Sequence, residues 1–237
     1  NHMSDIWSLM DFILPGVFGS LQTYKDKIPD DAFGGQLFEP ILTPLMLRRL
    51  VQDVAKDLPE KVVSSQPIIM SQAESMRYAD YLNEARDKAE SESLNLGVLQ
   101  KLRMFCTHPC ITEDTPTSTD PAEQSLKYQR LCELMDEIIE RREKVLVFTS
   151  YKKMFDVFTT DLPRRFGIKV WTINGETPVP ERQTIVDQFN SLPYPAALIL
   201  NPVAGGTGLN ITGANHVIHY NLEWNPSLED QSSARAY

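Results

Sequence analysis

The pattern that most constrains the fold lies after residue 125, where short apolar runs alternate with amphipathic stretches of helical period. The spacing predicts helices over 125–142, 151–162 and 178–190, and strands over 144–149, 168–173, 196–200 and 216–220. Strands that alternate with helices of this length indicate a parallel, doubly wound sheet with right-handed crossovers. We therefore predict an α/β fold in which helices cover both faces of a buried parallel sheet.

Four loops should meet at the carboxyl edge of this sheet, where open α/β sheets bind their ligands. They begin at Thr149, at Asn174, in the glycine-rich stretch 204–212 and at Asn221. Three glycines within four positions of that stretch allow the backbone to approach a ligand closely, although a tight turn alone would also explain them. The edge is thus the candidate ligand crevice. Thr177 is the predicted N-cap of the helix over 178–190, with Pro178 at its first helical position.

The glycine loop does not carry either of the common nucleotide-binding motifs. No Gly-Lys-Ser/Thr follows it, and it is not a GxGxxG that opens a helix after the first strand. Gln231 and Arg235 stand four residues apart on the last predicted helix. Such a pair is common on a solvated surface, but beside a phosphate a guanidinium could stabilise the charge of a transferring phosphoryl group.

The first half of the chain reads as helices and connectors. An amphipathic helix is predicted over 5–14, and residues 15–40 lack clear periodicity and read as a connector. Residues 42–50 end in Arg48 and Arg49, and a short helical pattern follows at 51–58. Two packing helices follow over about 72–91 and 95–106, the first opened by a capping box from Ser71 to Glu74. Residues 112–124 are polar, acidic and proline-punctuated, so we predict a linker and a domain boundary there.

Charge and cysteine content limit the function classes. The chain has 23 basic and 32 acidic residues and a net charge of −9, which argues against broad nucleic-acid binding by a basic surface. A phosphate site built from backbone amides does not depend on net charge. Cys106, His108 and Cys110 offer at most three metal ligands on one turn, so we expect a helix end stopped by Pro109 and no metal site. No apolar run approaches the roughly 18 residues of a membrane span, and we expect a soluble intracellular protein without a membrane partner.

Several sequence blocks together resemble one family. They appear in the order seen in Swi/Snf-type ATPases, the chromatin-remodeller-like members of helicase superfamily two, and the resemblance covers residues 5–237. The blocks are Leu45–Arg49, Asp57–Lys61, Leu102–Pro109, Val145–Ser150, Ile173–Thr177 with Arg182, Gly205–Thr212, and Trp224–Pro226 through Gln231 to Arg235.

The resemblance implies a RecA-like parallel sheet flanked by helices, with an additional N-terminal helical subdomain. Residues 1–3 look like a tag remnant, and residues 4–41 would be the end of the first motor lobe and a connector. Residues 42–124 would be a helical protrusion with its acidic linker. Residues 125–237 would be the second RecA-like lobe, with helicase motifs IV and V and part of motif VI.

The resemblance also implies the roles of individual residues. Gln231 and Arg235 match the catalytic start of motif VI. The nucleotide would contact Gly206, Gly208, Asn210 and Arg235, and nucleic acid would contact Thr149, Ser150, Arg182, Gly205, Thr207 and Trp224. The implied cofactors are ATP and Mg²⁺, held mainly by the first lobe, and the implied partners are double-stranded DNA and that lobe.

The function implied is that of an ATP-dependent translocase on double-stranded DNA, found with the bacterial nucleoid in the cytoplasm or in a eukaryotic nucleus. Walker A, Walker B and the second motif VI arginine lie outside these 237 residues, so we expect this fragment alone to be inactive as an ATPase. An RNA helicase lobe of the same superfamily is one alternative. A noncatalytic nucleotide-binding or interaction module is another.

Overall fold

The computed structural model describes residues 2–47, 61–89, 96–112, 120–205 and 208–234. The chain forms two compact units, residues 1–65 and residues 66–237. The predicted helix at 51–58, the arginine pair Arg48–Arg49 and most of the acidic stretch 112–124 lie outside the described residues. The domain limits drawn from the sequence stay predictions, and the division into compact units falls before the acidic stretch.

In residues 2–47 of the first unit the structure describes α1 (Met3–Ile13), α2 (Leu21–Lys27) and α3 (Ala32–Leu42). The interpretation of residues 15–40 as a connector without periodic structure was wrong, because two of these helices lie there. Ser20 and Asp31 cap the first turns of α2 and α3 by accepting backbone N–H bonds, so both helices form although their sequences show little periodicity. The rings of Phe18 and Tyr24 pack on Phe38, which is buried.

The second unit begins with two helices that pack against each other, α4 (Gln72–Ala89) and α5 (Leu96–Thr107). The predicted capping box is confirmed: the Ser71 amide donates to the Glu74 carboxylate over 2.8 Å, and the Glu74 amide donates to the Ser71 hydroxyl over 3.2 Å. The rings of Tyr81 and Phe105 lie 5.3 Å apart between the helices. Helix α5 ends at Thr107, just before Pro109, as predicted. A 3₁₀ turn, Pro109–Ile111, follows it.

The remaining elements alternate as the sequence predicts and form one parallel sheet. They are α6 (Pro121–Gln124), α7 (Leu126–Glu140), β1 (Val145–Phe148), α8 (Lys152–Phe166), β2 (Lys169–Ile173), α9 (Val179–Ser191), β3 (Ala196–Leu200), α10 (Pro202–Gly205), β4 (His216–His219) and α11 (Pro226–Ser233). The strand order is β2-β3-β1-β4, and every neighbouring pair is parallel. This confirms the RecA-like α/β fold class.

Both faces of the sheet are covered by apolar side chains. Val145 and Val147 of β1 face a cluster built by α7 and α8, whereas Leu146 and Phe148 face a cluster that includes Phe189 of α9. All four β1 side chains are at most 1% exposed. This continuous apolar run fits the place of β1 between β3 and β4, where both faces of the strand are covered. Burial of one such side chain contributes about 1.5–3 kcal/mol.

A charged group is buried beside the first of these clusters. The Asp161 carboxylate accepts hydrogen bonds from Tyr128 Oη (3.0 Å), Arg165 Nε (2.9 Å) and Arg164 Nη2 (2.8 Å). Burial by itself would raise the pKa of Asp161, but these donors outweigh it and the pKa lies below its usual value. Arg165 also binds Asp120, so the network joins α8 to the residue that caps α6.

None of the helices in the described part of the chain is long and apolar enough to cross a membrane.

Candidate functional site

The ends of the four strands lie side by side, as predicted. The Thr149 amide donates to the Leu200 carbonyl, the Asn201 amide to the Ile173 carbonyl, and the Tyr220 amide to Phe148, each over 3.0 Å. The loops that leave β1, β2, β3 and β4 therefore start from one edge. The candidate site comprises this carboxyl edge.

The two residues that follow β1 have different surroundings. Thr149 is fully buried, and its hydroxyl donates to Asn221 Oδ1 over 2.7 Å. Ser150 is exposed, and its hydroxyl is hydrogen-bonded to Glu223. Of this predicted pair, Ser150 is thus the residue whose side chain a ligand can reach, while Thr149 holds the neighbouring loop in place.

Arg182 supports the loop that follows β2. It is 7% exposed, and its guanidinium donates to the carbonyls of Thr177 (3.0 Å) and Asn174 (3.4 Å). The predicted helix cap at Thr177 was wrong: Pro178 is the N-cap of α9, and the Thr177 hydroxyl accepts from the Asn174 amide instead. The Thr177 hydroxyl closes the turn after β2 through this bond, so it does not cap α9.

The segment after β3 starts with a helical turn where the sequence predicted a loop. Asn201 Oδ1 accepts from the Val203 amide over 2.9 Å, and Pro202 takes the first helical position, so local capping chemistry forms α10. Gly205 ends this turn, while Gly206 and Thr207 lie outside the described residues. Gly208 has a φ of +75°, which favours glycine at this position.

The far end of the same loop is fixed to the body of the unit. Leu209 and Ile211 are buried in the second apolar cluster, whereas Asn210 is exposed. Asn190 donates to the Asn210 carbonyl (3.2 Å) and accepts from the Gly213 amide (2.9 Å). The backbone of the glycine loop is therefore held at its carboxyl end.

Helix α11 is held at both ends. Asn225 caps its first turn, and the Glu223 amide donates to Glu229 Oε1 over 2.7 Å. At the last turn, His219 Nε2 lies 2.8 Å from the Ser233 hydroxyl, and the His219 ring stacks on Phe148. Gln231 is exposed on this helix, whereas Arg235 lies outside the described residues.

Trp224 lies between β4 and α11 and is 72% exposed. The guanidinium carbon of Arg103 on α5 lies 4.4 Å from its ring centroid. Sequence reasoning placed the loop that contains Asn221 and Glu223 at this edge but gave these two residues no role, and it missed Arg103. The signal for Arg103 was its place in the block Leu102–Pro109.

The polar groups of the edge suit phosphate binding. Hydroxyls and backbone amides can hold phosphate oxygens, and Ser150 with the glycine loop supplies both kinds of group. Burial raises the pKa of the Tyr151 phenol above its usual value. Among the residues that the structure describes, no group of three or more His, Cys, Asp or Glu side chains could hold a metal ion.

Two family models match the chain, and together they span most of it. The model for the SNF2-related domain matches residues 1–111, and the model for the helicase conserved C-terminal domain matches residues 126–237. The second match contains the sheet and all of the predicted site residues.

Relatives of known family match the whole chain. It is 36% identical to a putative ATP-dependent helicase/translocase, YwqA, of Bacillus subtilis and 31% identical to the Zorya protein ZorD of Escherichia coli, covering 27% and 24% of those proteins. It is 29% identical to the DNA repair and recombination protein RAD26 of Saccharomyces cerevisiae, covering 24% of it. The chain thus spans about a quarter of the length of the curated relatives it matches.

Solved structures show the same fold. The SWI2/SNF2 ATPase core domain of Sulfolobus solfataricus matches with a TM-score of 0.65 and 25% identity. The same core in complex with double-stranded DNA matches with a TM-score of 0.66 and 26% identity. Each match covers 98% of this chain, and about half of the other chain.

Proposed function

Because the chain belongs to the Swi/Snf-type ATPases of helicase superfamily two, we propose that it supplies the second motor lobe of an ATP-dependent translocase on double-stranded DNA. The observation that carries this proposal is a hydrogen-bonded connection at the carboxyl edge. It runs from the exposed Ser150 through Glu223 and Glu229 to α11. A loop suited to phosphate is thereby linked to the helix that carries Gln231 and leads to Arg235.

The DNA-facing side of the lobe would be formed by Ser150 and the glycine loop. A phosphate of the DNA backbone at Ser150 competes with Glu223 for the hydroxyl proton of Ser150. Contact with DNA would then alter the bond that holds the start of the α11 segment. Thr149 and Arg182 would not contact DNA through their side chains. They would fix the loops after β4 and β2 through their buried hydrogen bonds.

The ATP-facing side would be formed by Gly206, Gly208, Asn210, Gln231 and Arg235. The guanidinium of Arg235 would approach the phosphates of an ATP held mainly by the first lobe, and it would stabilise the charge of the transferring phosphoryl group. The Mg²⁺ that accompanies ATP would be held with the Walker residues of that first lobe. A GxxxxGK[ST] sequence does not occur in these 237 residues.

Movement along DNA would follow from closure of the two lobes around ATP. Closure brings Arg235 to the nucleotide and shifts the Ser150 side of this lobe along a DNA strand, and hydrolysis reverses the shift. Such stepping moves the motor without separating the strands. We place such a motor at the chromosome, in the bacterial nucleoid or in the eukaryotic nucleus.

The experiment that tests this proposal compares nucleic acids as activators of ATP hydrolysis by the full-length protein. We expect strong stimulation by duplex DNA, weak stimulation by single-stranded DNA or RNA, and displacement of a triplex-forming strand during hydrolysis. Preferential stimulation by RNA would instead support the lobe of an RNA helicase. The 237-residue chain alone should show background hydrolysis with or without DNA, and DNA-stimulated turnover by it would contradict the assignment.

A noncatalytic role makes a different prediction for the same full-length protein. A nucleotide-binding or interaction module would bind ATP without hydrolysing it under any of these conditions. Titration calorimetry with ATP and with NAD, run beside the hydrolysis assay, separates binding from turnover.

A further inference from the structure

Arg103 reaches from α5 to the segment that joins β4 to α11. Its Nη2 donates to the Leu222 carbonyl over 2.7 Å, and its guanidinium lies over the Trp224 ring. The two contacts join residues that are more than a hundred positions apart in the sequence. One guanidinium therefore fixes both the backbone and a side chain of this segment.

The last residue of α5 holds the same segment closer to the sheet. The Thr107 hydroxyl accepts from Asn221 Nδ2 over 2.5 Å, and the Thr107 carbonyl accepts from Tyr220 Oη over 3.0 Å. Thr107, Tyr220 and Asn221 are all at most 6% exposed. These buried bonds fix residues 220 and 221 whether or not Arg103 is present.

The outer part of the segment depends more on Arg103. Leu222 is 69% exposed and Trp224 is 72% exposed, so burial does little to fix them. Besides the bonds of Glu223 to Ser150 and Glu229, a charge-assisted hydrogen bond and a cation–π contact from Arg103 hold residues 222–224. Asn225, the cap of α11, follows immediately.

We propose that Arg103 is a positioning residue for the ATP site: it holds residues 222–224 and so sets the place from which α11 starts. This inference rests on the proposed function for its catalytic part, because it is α11 that carries Gln231 and leads to Arg235. It assigns the helical region before the sheet a role in ATP hydrolysis that does not require contact with ATP or DNA.

Hydrogen exchange on the 237-residue chain tests the structural part. In Arg103→Met, which keeps the apolar stem, we expect the amides of α11 to exchange about tenfold faster while those of β1 are unchanged, because local opening reports local contacts. Arg103→Lys keeps the charge over Trp224 but not the planar fork, so its effect should be intermediate. Arg130→Met is the matched control. Arg130 lies on α7 and binds Gln66 and Glu133, so its replacement should leave the exchange of α11 unchanged.

ATP hydrolysis by the full-length protein tests the catalytic part. Arg103→Met should lower kcat at saturating DNA by about tenfold with KM for ATP unchanged, since the lost interaction acts on the transition state. Arg103→Lys should recover part of kcat, and Arg130→Met should retain all of it.

The outcomes separate this inference from the proposed function. Unchanged exchange of α11 in Arg103→Met overturns the inference, and so does faster exchange with an unchanged kcat. If the wild-type protein shows no DNA-stimulated hydrolysis, the proposed function fails, while the exchange data still decide whether Arg103 positions α11.

Discussion

Thr149 Oγ1 donates a 2.7 Å hydrogen bond to Asn221 Oδ1 and joins the residues that follow two neighbouring strands, β1 and β4. Asn221 in turn donates to Thr107 at the end of α5. Three segments from separate parts of the sequence thus share one buried polar network. Such a network holds the loops of the carboxyl edge in one arrangement, because an unmade bond in a buried site is costly.

Replacement of Thr149 by valine should destabilise the 237-residue chain. Valine has nearly the same shape but leaves Asn221 Oδ1 without this donor, which costs about 1–3 kcal/mol of the free energy of unfolding. Thr149→Ser is the control, since it keeps the hydroxyl and loses a methyl group worth about 0.8 kcal/mol. Urea denaturation measures both, and a valine variant no less stable than the serine variant would contradict the assigned role of the bond.

Replacement of Gly213 by alanine should also be costly, because the backbone passes close to α9 at this point. A Cβ at residue 213 would lie 2.8 Å from Asn190 Cα and 2.9 Å from Lys144 Nζ. Lys144 cannot move freely, since its ammonium donates to the carbonyls of Phe189, Asn190 and Leu192. We expect a loss of about 1–3 kcal/mol in urea denaturation.

Gly175→Ala is the matched control for this substitution. Nothing lies within 4 Å of a Cβ at residue 175, so alanine there should be neutral or should stabilise the chain by up to about 1 kcal/mol. Equal stability of the two alanine variants would contradict the close approach of the Gly213 backbone to Asn190.

The stability of the chain should depend on pH through Lys127, whose ammonium lies 4.7 Å from the ring centroid of the buried Tyr220. Burial lowers the pKa of Lys127 from 10.5 to about 8, partly opposed by nearby Cys106. Between these values the unfolded chain binds the proton that the folded chain has released, so the free energy of unfolding rises with pH. Below about pH 8 both states are protonated, so the free energy of unfolding no longer changes with pH through Lys127.

The measurement is the difference in unfolding free energy between the wild type and Lys127→Arg from pH 7 to pH 10. Arginine stays charged throughout, and the titrating cysteines and tyrosines are shared by both chains. The wild type should gain stability relative to the variant as the pH rises above about 8. Parallel curves over this range would contradict the lowered pKa.

The parts of the fold that local patterns determine could be predicted from the sequence. Short runs rich in apolar residues predicted all four strands. Those of β1 and β3 are apolar throughout, as expected for strands covered on both faces, and Ala196–Leu200 was predicted at its observed limits. The capping box at Ser71 and Glu74 was predictable for the same reason, since both of its bonds are local. Helix α2 was missed because it has only seven residues, and α3 because Gly34, Gly35 and Pro40 lie inside it.

The candidate site was predictable in its location but not in its contacts. Parallel strands bring their carboxyl ends to one edge, so the strand pattern alone places Ser150 and the loop after β4 at the same edge. The burial of Thr149 and the hydrogen bonds from Arg182 to the loop after β2 depend on tertiary packing, which residue type does not reveal. The contact of Arg103 with Trp224 joins two distant segments, and no periodicity predicts such a pair.

Whether this lobe completes an ATP site is measured most directly by DNA-stimulated ATP hydrolysis of the full-length protein carrying Arg235→Ala. We predict that kcat falls by about 10³-fold or more while ATP and DNA still bind, because a lost arginine finger acts on the transition state. Arg235→Lys should restore little, since an ammonium cannot replace the planar guanidinium. A kcat within about twofold of the wild type would contradict the account.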